Sequence, residues 1–406
     1  MYIYAKDNSK LISWYSAHYY WIVFFVYLAS FFIPSLRAGV ICSVLMLLFL
    51  IVLRFKGSNR IGVRELFFLY VLYNILSVSG YLYNGIPISA YVKDFSNQFL
   101  PMIFFCIPSS KSFAKEKYYN LLLSSITFCI IVGLYFYISK PTYYFDFLAR
   151  TYMTYVKEYY LLHPRFNSFV GSTLMGTFCL TAMIISLNRI LFDQSNLIKY
   201  TILYVISFVA AFITMQRSAM VIAIFILFIS SLFSLYSSKK SRNYLYLTYI
   251  LFGAMLAFGI SRLDASILST INRRLDAIDS DLITSRSDQW FDTIRNSPNI
   301  IFGSGLGSVG HKAIGFAKYV ITDGSLFKII AEFGIVGFLL FALIVFICIE
   351  KALKHTFFYF REISIIFIFL LQSIGSNTLS FQLLLPIFWL SLGIITFDNV
   401  TSSNLE

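Results

Sequence analysis

The chain has 406 residues, of which 58% are hydrophobic, 19% aromatic and only 13% charged, with a formal net charge of +13 and a mean hydropathy of +0.76. A soluble domain carries about 25% charged residues, and no globular interior can hide this much Phe, Ile and Leu. The composition therefore excludes a soluble globular protein and makes a bilayer the solvent. In lipid every backbone polar group must be paired internally, so spans are helices or barrel strands. The apolar runs, about 20 residues each, lack period-two alternation and predict helices.

Twelve spans are predicted in chain order: 18–36, 38–53, 65–83, 88–108, 118–139, 167–187, 197–215, 218–236, 244–261, 325–349, 362–380 and 382–397. Lys93 and Asp94 interrupt the fourth, and the last is short. The first apolar run is followed by many more, so it reads as a span and no cleavable leader is expected. A single polytopic domain over 1–406 is the simplest division. Cys42, Cys106, Cys129, Cys179 and Cys348 all fall inside apolar runs and read as small hydrophobes. His18, His163, His311 and His355 lack metal-ligand spacing.

Loop charge sets the orientation. One side holds Lys6 and Lys10, then Arg54, Lys56, Arg60 and Arg64, then Lys111, Lys115 and Lys117. It also holds Arg189 and Lys199, then Lys239, Lys240 and Arg242, then Lys351, Lys354 and Arg361, seventeen basic residues in all. The short loops opposite carry two, Arg37 and Arg217. The basic side is predicted to be cytoplasmic, with both termini inside. Two long segments, 140–166 and 262–324, then face outward. Their basic residues are either ordinary solvated charge, interleaved with aspartates, or a binding surface for an anion. No internal repeat relates the two halves of the chain, as would suit a rocking transporter.

The longer outer segment has its own pattern. Ile267, Ile271, Leu275 and Ile278 at helical spacing predict an amphipathic helix on the membrane surface. Ser285-Arg286-Ser287-Asp288 reads as a helix start, with Trp290, Phe291 and Ile294 following and a stop at Ser297-Pro298. Arg286 and Trp290, four apart, share a face. Gly303, Gly305, Gly307 and Gly310 then either let the backbone approach a ligand closely and offer its N–H groups to phosphate, or form a flexible connection. No phosphate-loop Lys-Ser/Thr follows, which argues against nucleotide binding. Asp323 either caps the helix that follows or contributes to a site. Lys328 and Glu332 form an i,i+4 pair that neutralises itself or serves a site. Arg217, in a tight outer hairpin, either snorkels to the interface or faces a polar cavity. Arg165 stands near His163 and Glu158 at the outer mouth of the sixth span.

The order of these motifs resembles the O-antigen polymerase and O-antigen ligase superfamily of bacterial inner-membrane glycosyltransferases. The matching pieces are Arg217-Ser218-Ala219 at a span start, Ser285-Arg286 through Trp290, Pro298 through Gly307, and Asp323 followed by Glu332, Gly334 and Gly337. The motif match covers about residues 166–350, and the topology match covers the whole chain. Ligases of the family usually carry His-Asn where this chain has Asp323-Gly324, which favours a polymerase.

The resemblance implies cofactor-free, metal-independent transfer of glycan from a polyprenyl diphosphate carrier, at a site facing the periplasm. It implies Arg217 and Arg286 as cations for the diphosphate, supported by Arg165 and Arg295. Asp323 would orient or deprotonate the acceptor hydroxyl, with Glu158 and His163 in reserve. Trp290 would stack on a sugar or pack against its surroundings, and Gly305 would admit the substrate. The expected partners are the lipid-linked oligosaccharide, membrane lipid and a chain-length regulator protein, with no nucleic acid. The competing expectations are a ligase to lipid A core and a flippase or other transporter of lipid-linked oligosaccharide.

Overall fold

The computed structural model describes residues 2–33, 35–52, 63–77, 87–110, 113–152, 165–193, 196–234, 238–261 and 280–398. The surface helix expected around Ile267 to Ile278, and the candidates Glu158 and His163, lie outside the described residues. The described residues contain helices and connections and no strand. Four helices are long and apolar enough to cross a membrane: Lys115–Ser139, Ser172–Asp193, Ser325–Leu353 and Thr356–Gly375. Shorter apolar helices cover Ala38–Leu48, Leu197–Ile213, Arg217–Phe233 and Leu385–Phe397. Ile131, Ile138, Val221, Phe228, Leu339 and Phe346 present bare apolar side chains outward, as lipid contact requires. The chain is an α-helical membrane protein. It divides into two compact units, one of Met1–Tyr19, Ala38–Tyr119 and Arg286–Glu406, the other of Tyr20–Arg37 and Asn120–Ser285.

In the first unit, the expected fourth span is not a regular α-helix. Ile88–Asp94 is α-helical, Phe95–Phe99 widens to a π turn, and Leu100–Ser109 tightens to a 3-10 helix. The prolines at 101 and 108 each remove a backbone donor and disfavour the α-helical ladder. Irregular backbone at membrane depth survives only inside protein, and residues 100–107 are accordingly all buried. The Leu385–Phe397 helix packs along this segment, with the Phe105 backbone lying where a Cβ on Gly393 would go.

The Ser325–Leu353 helix is broken at Gly334, where φ is 66° and ψ −172°, a conformation essentially reserved for glycine. The break cancels the helical bonds from Ile335 to Ala331 and from Val336 to Glu332. The glycine-rich loop replaces them. Ser304 N donates to Ala331 O at 2.9 Å and Gly305 N to Glu332 O at 2.8 Å. In return Ile335 N donates to Ile300 O at 3.0 Å and Val336 N to Ile301 O at 3.1 Å. The Tyr73 hydroxyl lies 2.7 Å from Phe333 O and 2.9 Å from Phe302 O and donates across the junction. Gly303, at φ +80°, brings its backbone against the Glu332 carbonyl with no room for a side chain.

In the second unit the Ser172–Asn188 helix is buried from Met175 to Leu187, and the Leu197–Ile213 and Arg217–Ser234 helices pack on it. A helix apolar all round takes that central position. The segment from 140 expected as a loop carries a helix, Thr142–Tyr152. Tyr144, Phe145, Phe147 and Leu148 form its buried face. Phe31 stacks on Phe147 at 3.7 Å and Tyr144 on Phe136 at 4.7 Å.

Gly334→Ala is expected to cost at least about 1–3 kcal/mol, the penalty for a non-glycine residue in that backbone region, and more because the new Cβ meets the Ile301 carbonyl. Gly253→Ala, with nothing within 4 Å of the added atom, is the matched control. Thermal unfolding in detergent should show a midpoint several degrees lower for the first variant and unchanged or higher for the second. Equal midpoints would contradict the exchange at the break.

Candidate functional site

The helix that carries Arg286 runs Ser280–Arg295, so it begins earlier than the Ser285 signature suggested, and Ser285 lies within it. Arg286, Gln289 and Trp290 share the face turned toward the start of the Ser325–Leu353 helix. The Arg286 guanidinium meets the Asp323 carboxylate at 3.2 Å, with the two side chains 49% and 37% exposed. One turn on, Trp290 Nε1 donates to Asp323 O at 2.6 Å. Thr322 Oγ1 donates to Gln289 Oε1 at 3.1 Å. Asn377 Nδ2 donates to Thr322 O from the connection after the Thr356–Gly375 helix. Two chain segments thus hold residues 322 and 323 by their backbone and the Thr322 hydroxyl, and leave the Asp323 carboxylate partly exposed.

Asp323 does not cap the helix. Gly324 occupies the cap position at φ 99°, and Ser325 N donates to Ser376 O at 3.1 Å instead. The Trp290 indole stacks on Phe327 at 4.2 Å, nearly parallel at 10°, over a core of Val309, Ile321 and Ala331. That ring face is committed to packing, and what Trp290 gives the site is its N–H.

One turn below Gly324 lies a buried ion cluster. Lys328 Nζ is 2.7 Å from Asp94 Oδ2 and 3.6 Å from Glu332 Oε1, with side-chain exposures of 3%, 5% and 0% respectively. Glu332 also accepts from Gly307 N at 3.0 Å and lies 3.4 Å from Gln98 Nε2. Asp94 and Gln98 sit where the expected fourth span changes from α to π winding. The Lys328–Glu332 pair therefore does more than neutralise itself, because Asp94 competes for the same ammonium. A charge inside an apolar run was the sequence signal, and its partner was not readable from local spacing.

The glycine-rich loop spends its N–H groups within the protein: Ser304 and Gly305 on helix carbonyls and Gly307 on the Glu332 carboxylate. Gly305 is buried at this junction. Arg295 ends its helix on the surface, nine residues past Arg286. At about 100° per residue that places it on the opposite face, so the two arginines do not converge. Arg165 and Arg217 belong to the second unit, at one end of it: Phe166 N donates to Ile213 O at 3.0 Å, and Arg217 opens the next helix. Met215 turns the hairpin between them at φ 54°, and Gln216 packs over Gly176.

Among the described residues no group of three or more His, Cys, Asp or Glu is placed to hold a metal ion. The segment 262–324 contains one Asp-x-Asp triplet, Asp279-Ser280-Asp281, whose first member lies outside the described residues. Compared with protein-family models and with curated proteins, the chain matches none.

The ion cluster sets one ammonium against two carboxylates. Removing the ammonium leaves both acids uncompensated, so Lys328→Met should destabilise by about 3–5 kcal/mol. Glu332→Gln keeps the shape, still accepts from Gly307 N and removes the surplus negative charge, so it should cost less than about 1.5 kcal/mol, the net worth of one hydrogen bond. The unfolding midpoint and the yield of folded protein in detergent rank the two variants, and the reverse order would refute the charge count.

Proposed function

We propose that the chain is a surface-polysaccharide polymerase of the bacterial inner membrane, moving a growing glycan from its polyprenyl diphosphate carrier onto the non-reducing end of a lipid-linked repeat unit. Twelve spans, cytoplasmic termini and an outward-facing site belong to this reading. The observation that carries it is the half-exposed Arg286–Asp323 pair, formed by residues from two separate motifs of the resemblance.

In this scheme the acceptor hydroxyl oxygen attacks the anomeric carbon. The bond from that carbon to the diphosphate oxygen breaks, and the hydroxyl proton passes to the Asp323 carboxylate and on to water. The leaving diphosphate carries the charge that guanidinium groups bind in bidentate fashion. Arg286 serves that charge in the reaction. Arg286 pairs with Asp323, and a diphosphate that draws the guanidinium to itself frees the carboxylate for the hydroxyl. The resemblance also assigns Arg217 and Arg165 to the donor. A ligase reading fits the same chemistry with a different acceptor. A transporter reading draws on the two interrupted helices and the buried Asp94–Lys328–Glu332 cluster, since discontinuous helices carry coupling ions in transporters.

Asp323→Asn, Arg286→Lys and Arg217→Lys are each expected to lower polymer formation by about 10²–10³-fold, the usual effect of losing one preorganised charge-stabilising group, while the proteins still insert. Gel analysis of surface glycan from cells making each variant reads the chain length. Single repeat units on the core fit a polymerase. Bare core with glycan retained on its carrier fits a ligase. Wild-type lengths in all three variants would overturn the assignment of these residues.

A further inference from the structure

The second unit carries a groove that the proposed reaction does not use. It occupies about 610 Å³ between the starts of the Leu197–Ile213 and Lys239–Ser261 helices. Its lining divides by chemistry. Lys199, Lys240 and Tyr244 supply the polar part, and Ile198, Ile202 and Leu203 supply the apolar part. Both lysines are exposed, and neither meets a carboxylate among the described residues. The nearest acid in sequence before the groove, Asp193, is held by Arg189 at 2.5 Å. Lys199 lies over the Tyr200 ring at 5.6 Å, which keeps its stem against the protein.

Two further facts define what would fill the groove. Both helices begin there, so the positive ends of two helix dipoles add to the two ammonium groups. The apolar part also continues away from the lysines. Ile198 and Ile202, one turn apart, are 64% and 50% exposed, and Ile250 on the neighbouring helix is 68% exposed. A ligand matching this surface has a phosphate at one end and hydrocarbon at the other. An inorganic anion would leave the isoleucines bare, and an uncharged lipid would leave the lysines unpaired.

We propose that this groove binds one anionic phospholipid of the bilayer leaflet on the side of the basic loops. The phosphate would sit between Lys199 and Lys240, the Tyr244 ring at the level of the headgroup, and an acyl chain along Ile198 and Ile202. Lysines next to a membrane-facing helix gain about 1 kcal/mol each from anionic lipid, so the pair corresponds to roughly a 30-fold preference over a neutral lipid of the same chain length.

The test uses the full chain purified in detergent and three probes: phosphatidylglycerol, phosphatidylcholine with the same acyl chains, and inorganic phosphate. Native mass spectrometry counts retained lipid, and thermal unfolding reads the shift in midpoint. Wild type should retain phosphatidylglycerol and show a raised midpoint, with little effect from phosphatidylcholine or phosphate. The double variant Lys199→Gln/Lys240→Gln should lose at least tenfold in that preference. Lys199→Arg/Lys240→Arg should keep it, and Lys354→Gln, at an exposed lysine paired with Glu350, should leave it unchanged. If the glutamine double variant does not fold, each single glutamine variant should show part of the same loss. Equal retention of the two lipids, an undiminished preference in the glutamine variants, or a phosphate effect as large as that of the lipid would each overturn the proposal.

Discussion

The structure of the first unit depends on one exchange of hydrogen bonds. A helix inside a membrane cannot be broken without giving new partners to its orphaned amides and carbonyls, because lipid offers none. At Gly334 the two lost internal bonds are replaced by four from the chain at 300–305, two in each direction. The exchange demands backbone contact closer than any side chain permits. That is the physical reason for glycine at 303 and 334, one on each side of the junction.

The same junction places the chemistry. Because the glycine loop is fixed on the helix, Gly307 N reaches the Glu332 carboxylate, and Glu332 in turn shares Lys328 with Asp94. This buried cluster ties the irregular 88–109 segment to the helix one turn below Gly324. Above it, the Thr322-Asp323 peptide is gripped by Gln289 and Trp290 on one side and Asn377 on the other. Asp323 therefore meets Arg286 on a rigid base, which is what a site handling a transferred charge requires.

Much of this was legible in the sequence, and the failures have physical causes. Composition and run length predicted an all-helical membrane chain. The shared face of Arg286 and Trp290 followed from helical spacing, but their contacts with Asp323 join residues 33 or more positions apart, which no local spacing reveals. The fourth span read as a helix because its residues are apolar, yet burial inside the protein lets Pro101 and Pro108 impose other windings. The glycine loop read as either a ligand-approaching backbone with N–H groups for phosphate or a flexible connection, because glycine permits both. Which acceptor takes those groups is a long-range fact, and here it is the broken helix. Asp94 stood out as a charge in an apolar run, but Lys328 lies far along the chain, so no periodicity could join them. The Thr142–Tyr152 helix was missed inside a stretch read as a loop, although its buried aromatic residues recur at helical spacing.

We propose that glycan transfer from a lipid diphosphate takes place at Arg286 and Asp323, with guanidinium groups in the role that a divalent ion plays elsewhere. The most direct measurement is polymerisation by the purified chain in detergent, supplied with lipid-linked repeat units and excess EDTA. Detergent removes the leaflets that transport needs, and the chelator removes any ion that Asp279-Ser280-Asp281 could hold. Ladders of lengthening glycan are expected in wild type at the same rate with and without EDTA, and about 10²–10³-fold less polymer in Asp323→Asn. Failure of wild type to extend its substrate, or extension that stops on chelation and returns with Mg²⁺, would contradict the proposal.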